Sequence, residues 1–170
     1  YFGAGGADVS EATCAYVREL GLDAIVVIGG DGSMAIAHQL AAKGIPVVGC
    51  PKTIDNDLAH TDRSFGFDTA VAIVTEALDR LQTTGRSHGR VMILETMGRY
   101  AGWIALHAGL AGGADIILIP ELPYRLEEVA RVCREREARE HYTLIAIAEG
   151  ARPEGGQLTV KERIEDSPEP

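Results

Sequence analysis

The chain has 170 residues, of which 46% are hydrophobic and 24% charged, enough for one domain with a sizeable core and ordinary for a soluble globular protein. Its net charge of −9 argues against a nucleic-acid binder working by bulk electrostatics, but leaves phosphate ligands open, because a few local cations can dominate a cleft. No apolar run approaches the roughly 20 residues of a membrane span.

In chain order, Asp8 or Ser10 is expected to cap a helix carrying Val9, Ala12, Tyr16 and Leu20 and ended by Gly21. Ala24–Ile28 is a short β-branched apolar run before Gly29-Gly30, the pattern of a buried strand. A helix over Ser33–Ala42 stopped at Gly44, a strand over Pro46–Cys50 and a polar loop over Pro51–Gly66 come after it. Next come a helix over Asp68–Leu81, a strand over Arg90–Leu94, a helix over Tyr100–Leu110 with Tyr100 and Trp103 packed within it, and a strand over Asp115–Ile119. A charged helix over Arg125–Glu140 and a strand over Thr143–Ala148 complete the series.

Strand and helix alternate throughout, which predicts an α/β fold, doubly wound, with a mostly parallel sheet and helices on both faces. Residues 1–150 are read as the core and 151–170 as the start of a further segment or tail. The chain opens without an initiator Met and closes in a polar run, so the fold is expected to be incomplete at both ends. Cys14, Cys50 and Cys133 are widely spaced and lack a Cys-x-x-Cys pair. With no signal peptide evident, they suit reduced thiols in a cytoplasmic protein.

The polar segments lie just past the strand ends: Gly29–Ser33, Pro51–Asp57, Glu95–Arg99, Pro120-Glu121 and Glu149-Gly150. In an open α/β sheet ligands bind at the carboxyl ends of the strands. Two glycines before a helix start allow backbone N–H groups to approach a phosphate. Asp31 beside such a site is repulsive unless a divalent cation intervenes, and Mg²⁺ takes one or two carboxylates together with phosphate oxygens. Asp31 is therefore read as a magnesium-site residue; the competing reading is a helix cap on a Gly-rich turn.

Lys52-Thr53-Ile54-Asp55-Asn56-Asp57 places two carboxylates and a lysine within six residues. If the backbone is extended there, Thr53, Asp55 and Asp57 point the same way. Phosphoryl transfer to an alcohol needs a carboxylate for the hydroxyl proton and cations for the transferring group; Asp55 and Lys52 suit those roles. A solvated Asx-rich loop is the alternative. Met97-Gly98-Arg99 offers backbone N–H groups and a guanidinium suited to bidentate phosphate binding. Arg90 starts the strand whose far end leads to Arg99, so Arg90 is expected to serve a neighbouring subunit. Glu149 is a candidate acceptor for sugar hydroxyls. Gly30–Ala35 also fits the dinucleotide pattern G-x-G-x-x-A, but the second strand ends in Cys50-Pro51-Lys52 instead of an acidic residue.

Taken together, Ile28–Ser33, Pro51–Asp57, Gly66–Ala70, Ser87–Arg90, Met97–Gly102 and Ile119–Glu121 resemble the 6-phosphofructokinase family, over about 21–150. The resemblance implies transfer of the ATP γ-phosphoryl group to the 1-hydroxyl of fructose 6-phosphate. Asp55 would be the base, with Thr53 and Arg99 as further catalytic residues. Thr53, Ile54, Asp55, Met97, Gly98, Arg99 and Glu149 would hold the sugar phosphate, with Arg90 reaching in from a neighbour in a homodimer or homotetramer. Asp31, Gly32 and Ser33 would meet the donor, Asp31 through Mg²⁺. In pyrophosphate-using relatives the positions of Gly32 and Lys52 are typically Asp and Lys, and in the common ATP enzymes both are Gly. The mixed pair here resembles the mixed-substrate, ATP-using group, with pyrophosphate as the alternative donor and a non-catalytic sugar-phosphate-binding paralogue as a further alternative. The family's early glycine-rich loop and its later arginines and histidine lie outside this sequence, so the piece alone is expected to be inactive.

Overall fold

The computed structural model describes residues 7–156; the Tyr1–Gly6 opening and most of the 151–170 segment lie outside them. The chain divides into two compact units, residues 1–66 and 67–170.

In the first unit, α1 (Ser10–Glu19) leads to β1 (Ile25–Gly29), α2 (Asp31–Ala42), β2 (Val47–Thr53) and the two-residue β3 (Phe65–Gly66). The strands are parallel in the order β1-β2-β3, with Ile25 opposite Val47 and Gly29 opposite Pro51. Both helices end as their glycines predict: Leu22 N–H donates to Val17 O at 3.3 Å and Ile45 N–H to Leu40 O at 3.2 Å, each closing over a left-handed glycine, Gly21 or Gly44. At the other end of α1 neither expected residue is the N-cap: Val9 is, without a side-chain cap bond, and Asp8 one residue earlier accepts the Ser10 N–H on its Oδ1 at 2.9 Å. Cys14, Val17, Leu40 and Ile45 form the core, with Ile25, Ile36 and Val47 packed against it. Alternate strand residues Val26, Ile28 and Val48 are exposed, as the two-residue period of a strand requires once Ile25 and Val47 face the helices.

In the second unit, α3 (Phe67–His88), β4 (Val91–Thr96), α4 (Trp103–Ala111), β5 (Ile116–Leu118), α5 (Leu126–Glu140) and β6 (Thr143–Ala148) form a parallel sheet in the order β4-β6-β5. The central strand β6 is buried nearly throughout. Its Leu144 and Ala146 meet Leu78 of α3, with Val74, Leu81, Met92, Leu94 and Ala114 around them. Asp115 joins two elements: its Oδ2 accepts the Leu144 N–H at 2.8 Å, and its Oδ1 pairs with Arg136 of α5 at 2.6 Å. The solvent side of α5 is tied by Arg131 to Glu128 and Glu135, and the Arg131 hydrogen bond holds the Glu128 carboxyl below its ordinary value.

Every expected strand and helix is present, and the departures have local causes. β2 runs on through Pro51-Lys52-Thr53, because β3 pairs with it, Lys52 opposite Phe65 and Thr53 opposite Gly66. That two-residue strand was not expected inside a polar loop. α2 starts at Asp31 and α3 reaches His88. α4 starts only at Trp103, so Tyr100 is not helical. Neither aromatic is packed away: Tyr100 is 64% and Trp103 43% exposed, although the Trp103 ring stands edge-on to His107.

Candidate active site

In the first unit the site is built where β1 and β2 end side by side. β1 stops at buried Gly29, Gly30 is the N-cap of α2, and Asp31 occupies the first helical turn. A carboxylate there is favoured by the positive end of the helix. Gly29 has no room for a side chain, since a Cβ would collide with Ser33 Oγ. Gly32, by contrast, opens onto free space. Across from this turn, Gly30 lies against Lys52 O and the Thr53 side chain. Gly30, Lys52, Thr53, Ile54, Phe65 and Gly66 line a cavity of about 390 Å³. β3 thus supplies one wall of a pocket whose other wall is the Gly-rich turn.

Thr53 ends β2 and organises the loop beyond it. Its hydroxyl accepts the Asp55 N–H at 3.2 Å and donates to Asp55 Oδ2 at 3.4 Å. The backbone then turns, with Asn56 in the left-handed region at φ 56. The extended alternation that would align Thr53, Asp55 and Asp57 therefore stops after Thr53, because the Thr53–Asp55 bonds close a turn. Buried Ser64 secures the loop: its hydroxyl donates to Thr53 O at 2.8 Å and its N–H to Asn56 Oδ1 at 2.8 Å. Ser64 and Asn56 were not singled out by sequence, where each was one more polar residue in a polar loop.

In the second unit three strand ends meet on one edge, as parallel pairing predicts. Thr96 at the end of β4 lies opposite Ala148 at the end of β6. Glu149 comes next, its N–H donating to Thr96 O at 2.9 Å. Glu149 Oε1 accepts the Gly98 N–H at 3.1 Å and the Arg99 N–H at 2.8 Å. Both residues are left-handed, Gly98 at φ 140 and Arg99 at φ 51. The turn is tight: a Cβ on Gly98 would collide with Ala101 O, and one on Gly150 with Arg99 O. Met97 is exposed. The backbone donors of 98 and 99 are thus engaged by Glu149, a link that spacing alone did not reveal. Arg90 sits at the opposite end of β4, as expected, where Thr143 N–H donates to Arg90 O at 3.4 Å. It lines a separate cavity of about 310 Å³ with Cys133, Arg134, Glu137, His141 and Tyr142.

Among the described residues no three metal-ligating side chains cluster. Asp31 fits magnesium in the manner of nucleotide sites, where the ion takes one or two carboxylates and otherwise phosphate oxygens and water. Its exposed position in the first turn of α2 leaves room for that.

A Gly-rich turn at a helix start, beside a Thr–Asp pair on parallel strand ends, is an arrangement by which α/β folds bind phosphate groups. The family profile described as Phosphofructokinase matches residues 5–169, and the chain belongs to that family. It is 52% identical over 164 residues to "ATP-dependent 6-phosphofructokinase 2" of Clostridium perfringens, covering 96% of this chain and 45% of that protein. It is 53% identical over 153 residues to "Pyrophosphate--fructose 6-phosphate 1-phosphotransferase" of Amycolatopsis methanolica, covering 90% and 45%. Among solved structures, a pyrophosphate-dependent phosphofructokinase from Marinobacter aquaeolei superposes with a TM-score of 0.77 at 30% identity, covering 89% of this chain and 44% of that one. The chain spans about half the length of these relatives.

Proposed function

We propose that the protein to which this chain belongs transfers the γ-phosphoryl group of ATP to the 1-hydroxyl of fructose 6-phosphate, forming fructose 1,6-bisphosphate and ADP in glycolysis. The observation that carries this reading is the Thr53–Asp55 pair held at the end of β2 beside the Gly30–Lys52 pocket. A carboxylate fixed by its neighbour's hydroxyl can accept the sugar hydroxyl proton as the oxygen attacks phosphorus and the bond to ADP breaks. Asp55 is the base and Thr53 orients it. Lys52 supplies positive charge for the transferred group, and Gly32 with Ser33 meets the donor. Magnesium held by Asp31 would supply charge neutralisation on the donor phosphates. The resemblance assigns Ile54, Arg90, Met97, Gly98, Arg99 and Glu149 to the sugar phosphate. It also counts Arg99 among the catalytic residues and brings Arg90 in from a neighbouring subunit of a homodimer or homotetramer. A cytoplasmic location belongs to the same reading; among the described residues no helix is long and apolar enough to cross a membrane.

Pyrophosphate is the rival donor, favoured by Lys52 and by the pyrophosphate-named relatives. Gly32 favours ATP instead. The space above its Cα is open, where an aspartate would add bulk and negative charge in the path of the ATP α-phosphate. The test is a parallel assay of the full-length protein with fructose 6-phosphate and either ATP or pyrophosphate. Turnover with ATP is expected, and use of pyrophosphate alone would overturn the donor assignment. Sugar-phosphate binding with no product from either donor would favour the non-catalytic paralogue.

A further inference from the structure

The turn from Met97 to Arg99 is held at its front by Glu149, but a turn held at one end can still swing. Its exit is Gly102, the buried N-cap of α4. Gly102 N–H donates to Glu121 Oε1 at 2.9 Å. Glu121 is the residue after Pro120 beyond β5, and Leu122 N–H donates back to Ile119 O at 3.3 Å, so a turn closes around it. The fit is close: a Cβ on Gly102 would lie 2.7 Å from Glu121 Oε2 and 2.5 Å from Ile119 Cβ. Between the two carboxylates the chain is bridged once more, Ala101 N–H donating to Gly98 O at 2.8 Å. The segment from Gly98 to Gly102 is therefore clamped by one carboxylate at each end. Its left-handed Arg99 is a conformation that costs free energy unless the surroundings impose it.

We propose that Glu121 is a positioning residue for the sugar-phosphate loop, fixing the exit of the turn so that the 97–99 backbone and the Arg99 side chain keep the geometry set by Glu149. The inference rests on the sugar-binding role proposed above. Without the Glu121 acceptor, Gly102 loses its partner at the start of α4, where no preceding turn can replace it, and the turn relaxes around the remaining Glu149 anchor. Glutamine at 121 retains a carbonyl acceptor and preserves the clamp; alanine does not.

The test uses the full-length protein with Glu121→Ala and Glu121→Gln. Glu121→Ala is expected to raise KM for fructose 6-phosphate about tenfold, the scale of one lost hydrogen bond to a charged group, with KM for ATP unchanged. Glu121→Gln should stay within about twofold of wild type, the range of a weakened but retained bond. Hydrogen–deuterium exchange followed by mass spectrometry supplies a readout independent of turnover. The peptide spanning 97–102 should exchange faster in Glu121→Ala and at the wild-type rate in Glu121→Gln. Unchanged exchange in Glu121→Ala, or an equal rise in both KM values, overturns the proposal. If the wild-type protein converts fructose 6-phosphate with neither donor, the functional reading fails, while the exchange comparison still decides whether Glu121 sets the loop.

Discussion

The Thr53 hydroxyl is hydrogen-bonded twice to Asp55, accepting its N–H at 3.2 Å and donating to its Oδ2 at 3.4 Å. One short side chain thereby sets both the backbone and a carboxylate oxygen of its neighbour. Asp55→Asn removes the base while keeping the amide oxygen that Thr53 can still bond. In the full-length protein, turnover with fructose 6-phosphate should fall by about 10²–10⁴ with little change in stability. Near-wild-type turnover would remove Asp55 from the role of base. Thr53→Val, which keeps shape but loses both bonds, should lower turnover by a smaller factor, about tenfold.

The donor assignment is tested by Gly32→Asp. The open space at Gly32 means the variant should fold with a melting temperature close to wild type. ATP should become a poor substrate, with KM for ATP raised and any pyrophosphate activity spared or improved. An ATP KM unaffected by the new carboxylate would show that position 32 does not screen the donor.

Gly98 has φ 140 and its missing Cβ avoids Ala101 O. Gly98→Ala should cost about 1–3 kcal/mol through backbone strain alone, read by denaturant unfolding of the full-length protein. The same change should raise KM for fructose 6-phosphate, since the turn must open to accept the methyl group. Retained stability and affinity together would mean that the turn is more plastic than its contacts indicate.

Asp115 is a structural counterpart. Its carboxylate is 15% exposed and pairs with Arg136, itself 29% exposed, while also accepting the Leu144 N–H. Asp115→Ala leaves both partners without an acceptor and should destabilise by about 2–3 kcal/mol. Asp115→Asn retains an acceptor for Leu144 and should recover part of that loss. Equal denaturation midpoints for the three proteins would contradict this account.

Much of this protein is set by local pattern. β-branched runs bounded by glycine mark the strands, and Gly21 and Gly44 end α1 and α2 because a left-handed residue closes the last turn at little cost. Loops bearing Asp31, Asp55, Arg99 and Glu149 lie past strand ends in order, and parallel strands bring such ends to a common edge within each sheet. Features that depend on distant partners were not legible. Phe65-Gly66 becomes a strand only because Lys52-Thr53 lies beside it. Asn56 turns left-handed, its Oδ1 accepting the N–H of Ser64 eight residues further on. Glu149 was expected to be a sugar acceptor by its position, yet its bonds to the Gly98 and Arg99 amides are made across 51 and 50 residues of chain. Glu121 meets Gly102 across 19. Composition and periodicity decide which residues form elements, because those preferences are local. Which carboxylate holds which amide is decided only when the sheet sets strand ends side by side.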